Sequence, residues 1–149
     1  MRIARLVLSL FAALVLFGGV AAAAAATTRL HVVGNLDAGA EAGTVVVAEG
    51  TVVDATGATH ELTFEFVKQP GANAWDLSVS TSSPDVVTPN PLAAATVAFD
   101  ANGRAQTLPS QPEVILVLAY SNGAPPQTVR VDLDALHGRA APSTPRVVP

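Results

Sequence analysis

Hydrophobic and polar positions alternate with a period of two along most of the chain beyond residue 28, the pattern of half-buried β-strands. The clearest case is "HELTFEFV" (60–67), in which Leu62, Phe64 and Phe66 share one face and glutamate and threonine side chains the other. Six further segments have a strand-like pattern: "RLHVV" (29–33), "GTVVVAEGTVV" (43–53), "AWDLSVS" (74–80), "TVAFD" (96–100), "EVILVLAY" (113–120) and "TVRVDLDAL" (128–136). No segment beyond residue 28 has the 3.6-residue period of an amphipathic helix.

Two of these segments depart from simple alternation. Segment 43–53 is rich in β-branched residues but contains Gly50, which predicts either one bulged strand or two short strands. Segment 113–120 has a continuous apolar run from Val114 to Tyr120, the pattern of a strand covered on both faces. We therefore expect segment 113–120 to be the most deeply buried strand of the fold.

The connections between the segments contain residues that favour turns. "DATG" (54–57) and "DANG" (100–103) end in a glycine that can adopt the positive φ of a tight hairpin. Residues 81–94 hold three prolines, which predicts a surface loop because proline cannot serve a central strand. Residues 139–149 are predicted to be a flexible, Pro-rich tail. About seven short strands joined by turns indicate a single compact all-β domain, a barrel or a sandwich.

The first 26 residues have the composition of a secretory signal peptide. Two arginines stand in the first five residues, residues 6–20 are almost wholly apolar, and residues 21–26 are all alanine. This order predicts an N-terminal signal helix that is cleaved near Ala24 or Ala26. The alternative is an uncleaved membrane anchor, because an apolar segment of about 20 residues can span a bilayer.

The acidic balance of the chain argues against a nucleic-acid partner. The sequence contains 12 acidic and 8 basic residues, a formal net charge of −4, and removal of residues 1–26 would change that charge to −6. Nucleic-acid binding requires a basic surface, and anionic lipid would repel an acidic domain. We expect membrane contact only if the N-terminal segment is uncleaved. The chain has no cysteine, which excludes disulfides, thiol catalysis, zinc–thiolate sites and a lipid-modified cysteine.

The residue types that bind metals do not occur at ligand spacing. His31, His60 and His137 lie on separate segments, and none has a second potential ligand at i+2 or i+4, as a zinc site would require. We expect all three at strand ends or facing solvent. The stretch "DANGR" (100–104) places oxygen ligands before a glycine, but no acid follows until Glu113, so the late glutamate of a calcium loop is missing. We interpret this stretch as a hairpin turn.

Carboxylate pairs and serines also give no support for an enzyme. Asp132 and Asp134 share a strand face at a spacing compatible with acid–base catalysis, but a solvated strand face produces the same spacing. The serines of "SVSTSS" (78–83) lack the Gly-x-Ser-x-Gly elbow of a nucleophile. We therefore predict that the protein is not an enzyme, with no catalytic, cofactor-binding or metal-binding residues and no cofactor.

Two aromatic residues and one polar hairpin remain as candidate binding features. Trp75 and Tyr120 could form a carbohydrate-stacking platform, but Trp75 alternates in phase with Leu77 and Val79, which favours the core. Polar residues in the hairpin 51–67 raise the question of a site there; they are Asp54, Thr56, His60, Glu61 and Glu65. We predict that they build the turn and the return strand.

Four motifs in a fixed order resemble the outer β domain of the bacterial flagellar hook protein. They are "VVGNLDAGAEAGT" (32–44), "GTVVDATGATHELTFEFVKQPGANAWDLSVS" (50–80), "ATVAFDANGRAQTL" (95–108) and "VDLDALHG" (131–138). The family shares a Gly-Asn-Leu start, a V-x-D-x-x-G-x-x-H-x-L hairpin, a second hairpin with F-D-x-x-G, and a closing strand. The resemblance covers nearly the whole chain that would follow a signal peptide.

The resemblance implies a compact β-barrel-like domain that is displayed on the outside of a tubular polymer. Hook proteins also carry long terminal helical segments, which this sequence does not show. We therefore expect residues 27–138 to be a stand-alone hook-like outer domain, exported by the signal peptide to the periplasm or beyond the bacterial cell. Its expected role is structural or protein-binding, as an accessory of the flagellum with hook or basal-body proteins as partners. The alternative is an extracytoplasmic ligand- or carbohydrate-binding β module.

Overall fold

The computed structural model describes residues 25–107 and 112–149, and within them the chain forms ten β-strands and no α-helix. The strands are β1 (Arg29–Asn35), β2 (Val45–Val53), β3 (Thr59–Lys68), β4 (Ala74–Ser80), β5 (Ala93–Phe99), β6 (Ala105–Thr107), β7 (Glu113–Leu118), β8 (Gln127–Asp132), β9 (Leu136–His137) and β10 (Arg146–Val148). The seven predicted strands are all present, and β6, β9 and β10 are additional short ones. The predicted signal helix in residues 1–26 lies outside the described residues, apart from its last two positions.

The strands form two sheets that face each other as a β-sandwich, which confirms the all-β prediction. Sheet I has the order β10-β1-β8-β7, with β9 also paired to β1, and sheet II has the order β2-β3-β4-β5-β6. Sheet II is an antiparallel meander in which each strand pairs with the next in the chain. In sheet I, β1 is parallel to β8 and antiparallel to β10, so the first and last strands of the chain are neighbours.

The core is built from the alternate residues of each strand that face inward. In β3, Leu62, Phe64 and Phe66 are at most 1% exposed, whereas Glu61 and Glu65 on the other face are exposed. The remaining inward residues of the long strands follow the same rule: Leu30, Val32, Trp75, Leu77, Val79, Leu116, Leu118, Val129 and Val131. Full burial of one such side chain stabilises the fold by about 1.5–3 kcal/mol. The alternation predicted for 60–67 and 74–80 is confirmed.

Strand β7 corrects one expectation. Its apolar run predicted burial on both faces, but only Val114, Leu116 and Leu118 face the core. Ile115 and Val117 point outward and are 42% and 54% exposed. Within the described structure β7 pairs only with β8, at the end of sheet I, and no second layer covers its outer face.

Strand β2 is continuous, and neither form expected for segment 43–53 is found. Its register with β3 is regular over all nine residues, with Gly50 opposite Leu62. Glycine is needed at position 50 because of a contact with a distant part of the chain: a Cβ atom there would lie 2.6 Å from Cγ1 of Val147 in β10. Val147 thus occupies the space that a side chain on Gly50 would need.

Residues 139–149, predicted to be a flexible tail, contain strand β10 and are bonded to β1. The Nδ2 group of Asn35 donates to the carbonyl of Ala141 at 2.7 Å, and the Asn35 carbonyl accepts the N–H of Thr144 at 2.8 Å. Gly34 has a φ of +118°, and a Cβ atom there would lie 2.2 Å from the Thr144 carbonyl oxygen. These contacts join residues more than 100 positions apart, which explains why local composition did not predict them.

The two predicted glycine turns share one local structure. In each turn, Oδ1 of the first aspartate, Asp54 or Asp100, accepts the main-chain N–H groups two and four residues ahead at 2.8–3.0 Å. The glycines at the fourth position, Gly57 and Gly103, have φ values of 88° and 74°. The positive φ predicted for both turns is therefore present.

We expect Phe64→Ala to lower the free energy of unfolding by about 3–5 kcal/mol, because it removes a fully buried ring and leaves a cavity. Glu65→Ala, on the exposed face of the same strand, is the matched control and should change the free energy by less than about 0.5 kcal/mol. Urea titration followed by tryptophan fluorescence measures both. A loss below about 1 kcal/mol for Phe64→Ala would show that the ring is not in the core.

Gly103→Val should destabilise the protein by about 1–3 kcal/mol, because valine opposes a positive φ. Its Cβ would also lie only 3.1 Å from Cγ of Arg139. Arg104→Ala, one residue further on, keeps the backbone conformation and should have a smaller effect. Thermal unfolding compares the two variants, and equal melting temperatures would refute the turn assignment.

Candidate functional site

A cluster of polar side chains lies where the β2–β3 turn meets the segment between β7 and β8; Asp54, His60 and Gln127 are buried, Tyr120 is half-buried and Asn122 is exposed. We call it the polar cluster, and its members are Asp54, His60, Tyr120, Asn122 and Gln127. Asp54 and His60 are 0% and 2% exposed, and both come from the hairpin whose polar residues raised the question of a site. A buried polar group is costly unless it is hydrogen-bonded, so the partners of each member decide what the cluster does.

Asp54 is the centre of the polar cluster. Its Oδ1 accepts the N–H and the hydroxyl of Thr56, at 2.8 and 2.6 Å. Its Oδ2 accepts Nδ2–H of Asn122 at 2.8 Å and lies 2.9 Å from Nε2 of His60. The Thr56 hydroxyl, followed by Asn122 and His60, holds the pKa of the Asp54 carboxyl far below its usual range, although burial acts in the opposite direction. The ionised carboxylate is therefore stabilised by several donors at once.

His60 lies at the beginning of β3, one of the two kinds of position expected for the histidines, but its side chain does not face solvent. Its ring is buried, with Nε2 on Asp54, and it stacks on the ring of Tyr120 with centroids 4.6 Å apart and planes at 29°. Sequence reasoning treated His60 as the start of the return strand. The signal that could have revealed its role is its place in the alternation, since His60 is in phase with Leu62 and Phe64 and so faces inward.

Tyr120 and Gln127 extend the polar cluster toward the beginning of β1. The Tyr120 hydroxyl donates to Oε1 of Gln127, and Nε2 of Gln127 donates to the carbonyls of Thr27 and Val53. Burial, together with the negative charge of Asp54, raises the pKa of Tyr120 to about 12. The cluster thus joins three separate parts of the chain: the lead-in to β1, the β2–β3 turn and the start of β8.

The geometry of the polar cluster suits a structural role. Catalysis requires a base within hydrogen-bond reach of a substrate proton. Asp54 and His60 are 0% and 2% exposed, so a substrate could not reach their polar atoms. The neighbouring Thr56 hydroxyl already donates its hydrogen bond to Asp54. Sequence reasoning found neither Asn122 nor Gln127, which have no motif and are recruited by tertiary contact alone.

The other candidate residues lie apart from the polar cluster. Oδ2 of Asp132 forms an ion pair with Nε of Arg29 at 3.4 Å and lies 3.6 Å from Nδ1 of His31. Asp134 is exposed in the turn that follows β8. His137 is in β9, at the opposite end of β1. Across residues 25–107 and 112–149, no three His, Asp or Glu side chains come together as a metal ligand set.

Trp75 belongs to the core, as its alternation predicted. The side chain is 0% exposed, and Nζ of Lys68 lies 5.9 Å from the ring centroid. Lys68 is itself only 5% exposed and donates to the carbonyl of Ala72. Because Trp75 is enclosed and Tyr120 is stacked on His60, these two aromatics do not provide an exposed platform for a sugar ring.

The exposed large hydrophobic residues fall into two groups, one on edge strand β2 and one on edge strand β7 together with Val87 of the segment between β4 and β5. Val45 and Val47, the β2 pair, are 54% and 50% exposed on the outer face of sheet II. Val87, Ile115 and Val117 form the β7 ridge, because the N–H of Val87 bonds to the carbonyl of Ala119 beside the end of β7. Exposed apolar groups of this kind mark surfaces suited to protein contact.

Sheet II carries an acidic outer face next to the β2 pair. Its exposed carboxylates are Glu49, Glu61, Glu65 and Asp76. The one basic residue in strands β2–β6, Lys68, points inward. None of the described residues belongs to a helix that is long and apolar enough to span a membrane.

A family model described as the flagellar basal body protein FlaE D2 domain matches residues 35–147. The matched range begins at the last residue of β1 and reaches into β10, so it includes nearly the whole sandwich and the tail. Comparison with curated proteins gives no match. The resemblance that the four motifs indicated, to the outer domain of the flagellar hook protein, is confirmed.

Asp54→Asn should destabilise the protein more than Asp100→Asn does. Both aspartates cap the same kind of turn, but only Oδ2 of Asp54 also bonds to the buried His60 and to Asn122. The substituted amide would place its NH2 group against Nδ2–H of Asn122, so two donors would face each other. Thermal unfolding at neutral pH measures both variants. Equal losses would show that the turn, and not the polar cluster, accounts for the effect.

The same pair of variants tests the acid sensitivity of the fold. Since the folded-state pKa of Asp54 is lowered, its stabilising effect is complete above the unfolded-state pKa of about 3.9 and is lost as pH falls below that value. Asp100 has a lowered pKa as well, chiefly from the N–H of Arg104. We expect the fall in stability between about pH 4 and pH 2 to be shallower in Asp54→Asn than in Asp100→Asn. Identical pH profiles would contradict the assignment.

Proposed function

Because the chain belongs to the family of the flagellar basal body protein FlaE D2 domain, we propose that it is an exported, non-enzymatic domain that acts by protein contact as an accessory of the flagellum. The observation that carries this proposal is the family match over residues 35–147. It extends over both sheets, the two glycine turns and the tail. The shared feature is therefore the whole folded domain and not a single hairpin motif.

The surface of the domain supports contact with another protein. The β7 ridge and the β2 pair contain all five of the exposed large hydrophobic side chains in the described residues. Four of them lie on the outer faces of edge strands and Val87 lies beside the end of β7, where another protein can approach. The proposed partners are hook or basal-body components, and the proposed route of export is the cleavable signal peptide in residues 1–26.

The interior of the domain supports a structural role over an enzymatic one. The Asp54–His60 pair is buried, and both side chains are bonded to other parts of the fold. The carbohydrate-binding alternative depended on Trp75, and Trp75 is fully buried. No observation favours that alternative over protein contact.

The test is an in-cell crosslink followed by purification of the C-terminally tagged protein from motile cells. We expect hook, rod or ring proteins in the purified sample. The intact mass from the same sample should show loss of the first 24 or 26 residues. Recovery of no flagellar component from motile cells with good expression would refute the flagellar role, and a full-length mass would refute cleavage.

Two double variants locate the contact surface. Ile115→Lys with Val117→Lys alters the β7 ridge, and Val45→Lys with Val47→Lys makes the matched change in the β2 pair. Because all four side chains are exposed, we expect each variant to fold, with urea midpoints close to that of the unchanged protein. One double variant should lose the crosslinked partner while the other keeps it. Retention of the partner by both would show that the contact lies elsewhere.

A further inference from the structure

The chain contains two Asn-Gly pairs, and each lies in an exposed turn. Asn102 and Gly103 belong to the β5–β6 turn, and Asn122 and Gly123 to the segment between β7 and β8. Asparagine is a chemically labile residue: the main-chain nitrogen of the next residue can attack its side-chain amide carbon, and a following glycine has no side chain to obstruct the attack. The hydrogen bonds of the reacting atoms therefore decide which pair reacts first.

The attacking nitrogen is held in one pair and free in the other. The N–H of Gly103 donates to the carbonyl of Asp100 at 2.9 Å, so this nitrogen must leave a turn bond before it can react. The N–H of Gly123 has no hydrogen-bond partner in residues 25–107 and 112–149. A Cβ atom on Gly123 would meet nothing within 4 Å, so this side of the turn is open to water. The nitrogen of Gly123 is thus the more available nucleophile.

The amide of Asn122 is oriented by two hydrogen bonds. Its Oδ1 accepts the N–H of Ala124 at 2.9 Å, and its Nδ2 donates to Oδ2 of Asp54 at 2.8 Å. Negative charge develops on Oδ1 when a nucleophile attacks the amide carbon, and a fixed donor at that oxygen stabilises the charge. The amide of Asn102 also bonds to an aspartate, Asp100, so the bond to a carboxylate does not distinguish the two pairs.

We propose that Asn122 is a site of spontaneous deamidation. The nitrogen of Gly123 forms a bond to Cγ of Asn122, the Cγ–Nδ2 bond breaks, and the proton lost by the Gly123 nitrogen leaves with Nδ2 as part of ammonia. Solvent water then adds to one of the two carbonyls of the resulting succinimide ring, which gives aspartate or isoaspartate at position 122. This inference goes beyond the proposed flagellar role and does not depend on it.

Deamidation at this position acts directly on the polar cluster. In the aspartate product an oxygen replaces Nδ2 beside Oδ2 of Asp54, so two carboxylates face each other and Asp54 loses one of its donors. In the isoaspartate product the main chain is one atom longer in the segment that leads to Gln127 of the cluster. Both products therefore weaken the contact between the β2–β3 turn and the start of β8, and the stability of the domain falls as the protein ages.

The first test measures the rate of deamidation at each pair in the purified protein, incubated in mildly alkaline buffer. Trypsin cuts after Arg104 and so places Asn102 and Asn122 in different peptides, whose masses report the conversion. In the folded protein we expect Asn122 to convert about two- to tenfold faster than Asn102, a factor equivalent to one main-chain hydrogen bond. In concentrated urea, which removes the turn bonds, the two rates should agree within about twofold.

Three results would overturn the proposal. Conversion of Asn102 at an equal or higher rate in the folded protein would show that the free nitrogen of Gly123 gives no advantage. The same ratio of rates in urea would assign the difference to local sequence. Conversion of Asn122 in urea but not in the folded protein would show that the bonds to Ala124 and Asp54 protect the amide.

The second test compares a product variant with a matched control by thermal unfolding. Asn122→Asp reproduces the aspartate product, whereas Asn122→Ala removes the same donor without adding a charge. We expect the melting temperature of Asn122→Asp to lie at least about 2 °C below that of Asn122→Ala. On incubation the melting temperature of the unchanged protein should fall as Asn122 converts, and that of Asn122→Ala should stay constant. Equal melting temperatures of the two variants would refute the effect of deamidation on the polar cluster.

Discussion

The docking of the tail against β1 and β2 is the constraint on which the rest of the sandwich depends. It requires the tail to pass so close to Gly34 and Gly50 that neither position has room for a Cβ atom. In return, β1 gains an antiparallel neighbour and becomes an internal strand of sheet I, with β8 on its other side. Without β10, β1 would be a free edge along its whole length, and unpaired edges invite aggregation. The family match extends to Val147, the residue that fills the space over Gly50.

Strand β1 is held at both ends, by different chemistry. At its end, Asn35 binds the tail through its side chain and its carbonyl. Before its start, the Thr27 carbonyl accepts a hydrogen bond from Nε2 of Gln127 in the polar cluster. The Thr27 N–H donates to the Val53 carbonyl, and the Thr27 hydroxyl oxygen accepts the Val53 N–H. Buried polar groups stabilise only the arrangement in which every partner is present. The cluster and the tail contacts therefore fix the position of β1 between the two sheets more specifically than apolar packing could alone.

Alternation in the sequence predicted the strands whose burial is decided locally. In the middle of β3 and in β4 every second residue is large and apolar, and those residues fill the core. The pattern failed at β7, because an apolar run cannot distinguish a central strand from an edge strand with an exposed Ile115 and Val117. It failed at β10, because the partners of the tail are more than 100 residues away. The burial of the His60 ring was not predicted, although His60 alternates in phase with Leu62 and Phe64 and so occupies an inward position.

The candidate site was less predictable than the fold for the same physical reason. Asp54 and its turn were visible as a motif, since the bonds from Oδ1 are local. The bonds from Oδ2 go to His60 and to Asn122, which is 68 residues away, and nothing in the local sequence of Asn122 indicates this contact. Sequence patterns find groups that serve the backbone beside them, whereas groups recruited across the fold appear only when the sheets are in place.

The division of polar and apolar groups between interior and surface supports the proposed role in protein contact. An enzyme exposes reactive polar groups in a cleft, but here the tightly bonded carboxylate and imidazole are sealed in the core. The described surface instead presents exposed apolar side chains on the two edge strands β2 and β7. Exposed apolar groups of this kind suit a surface that another protein covers. A partner that buries the β7 ridge would remove this apolar area from water, which is the physical basis of the proposed protein contact.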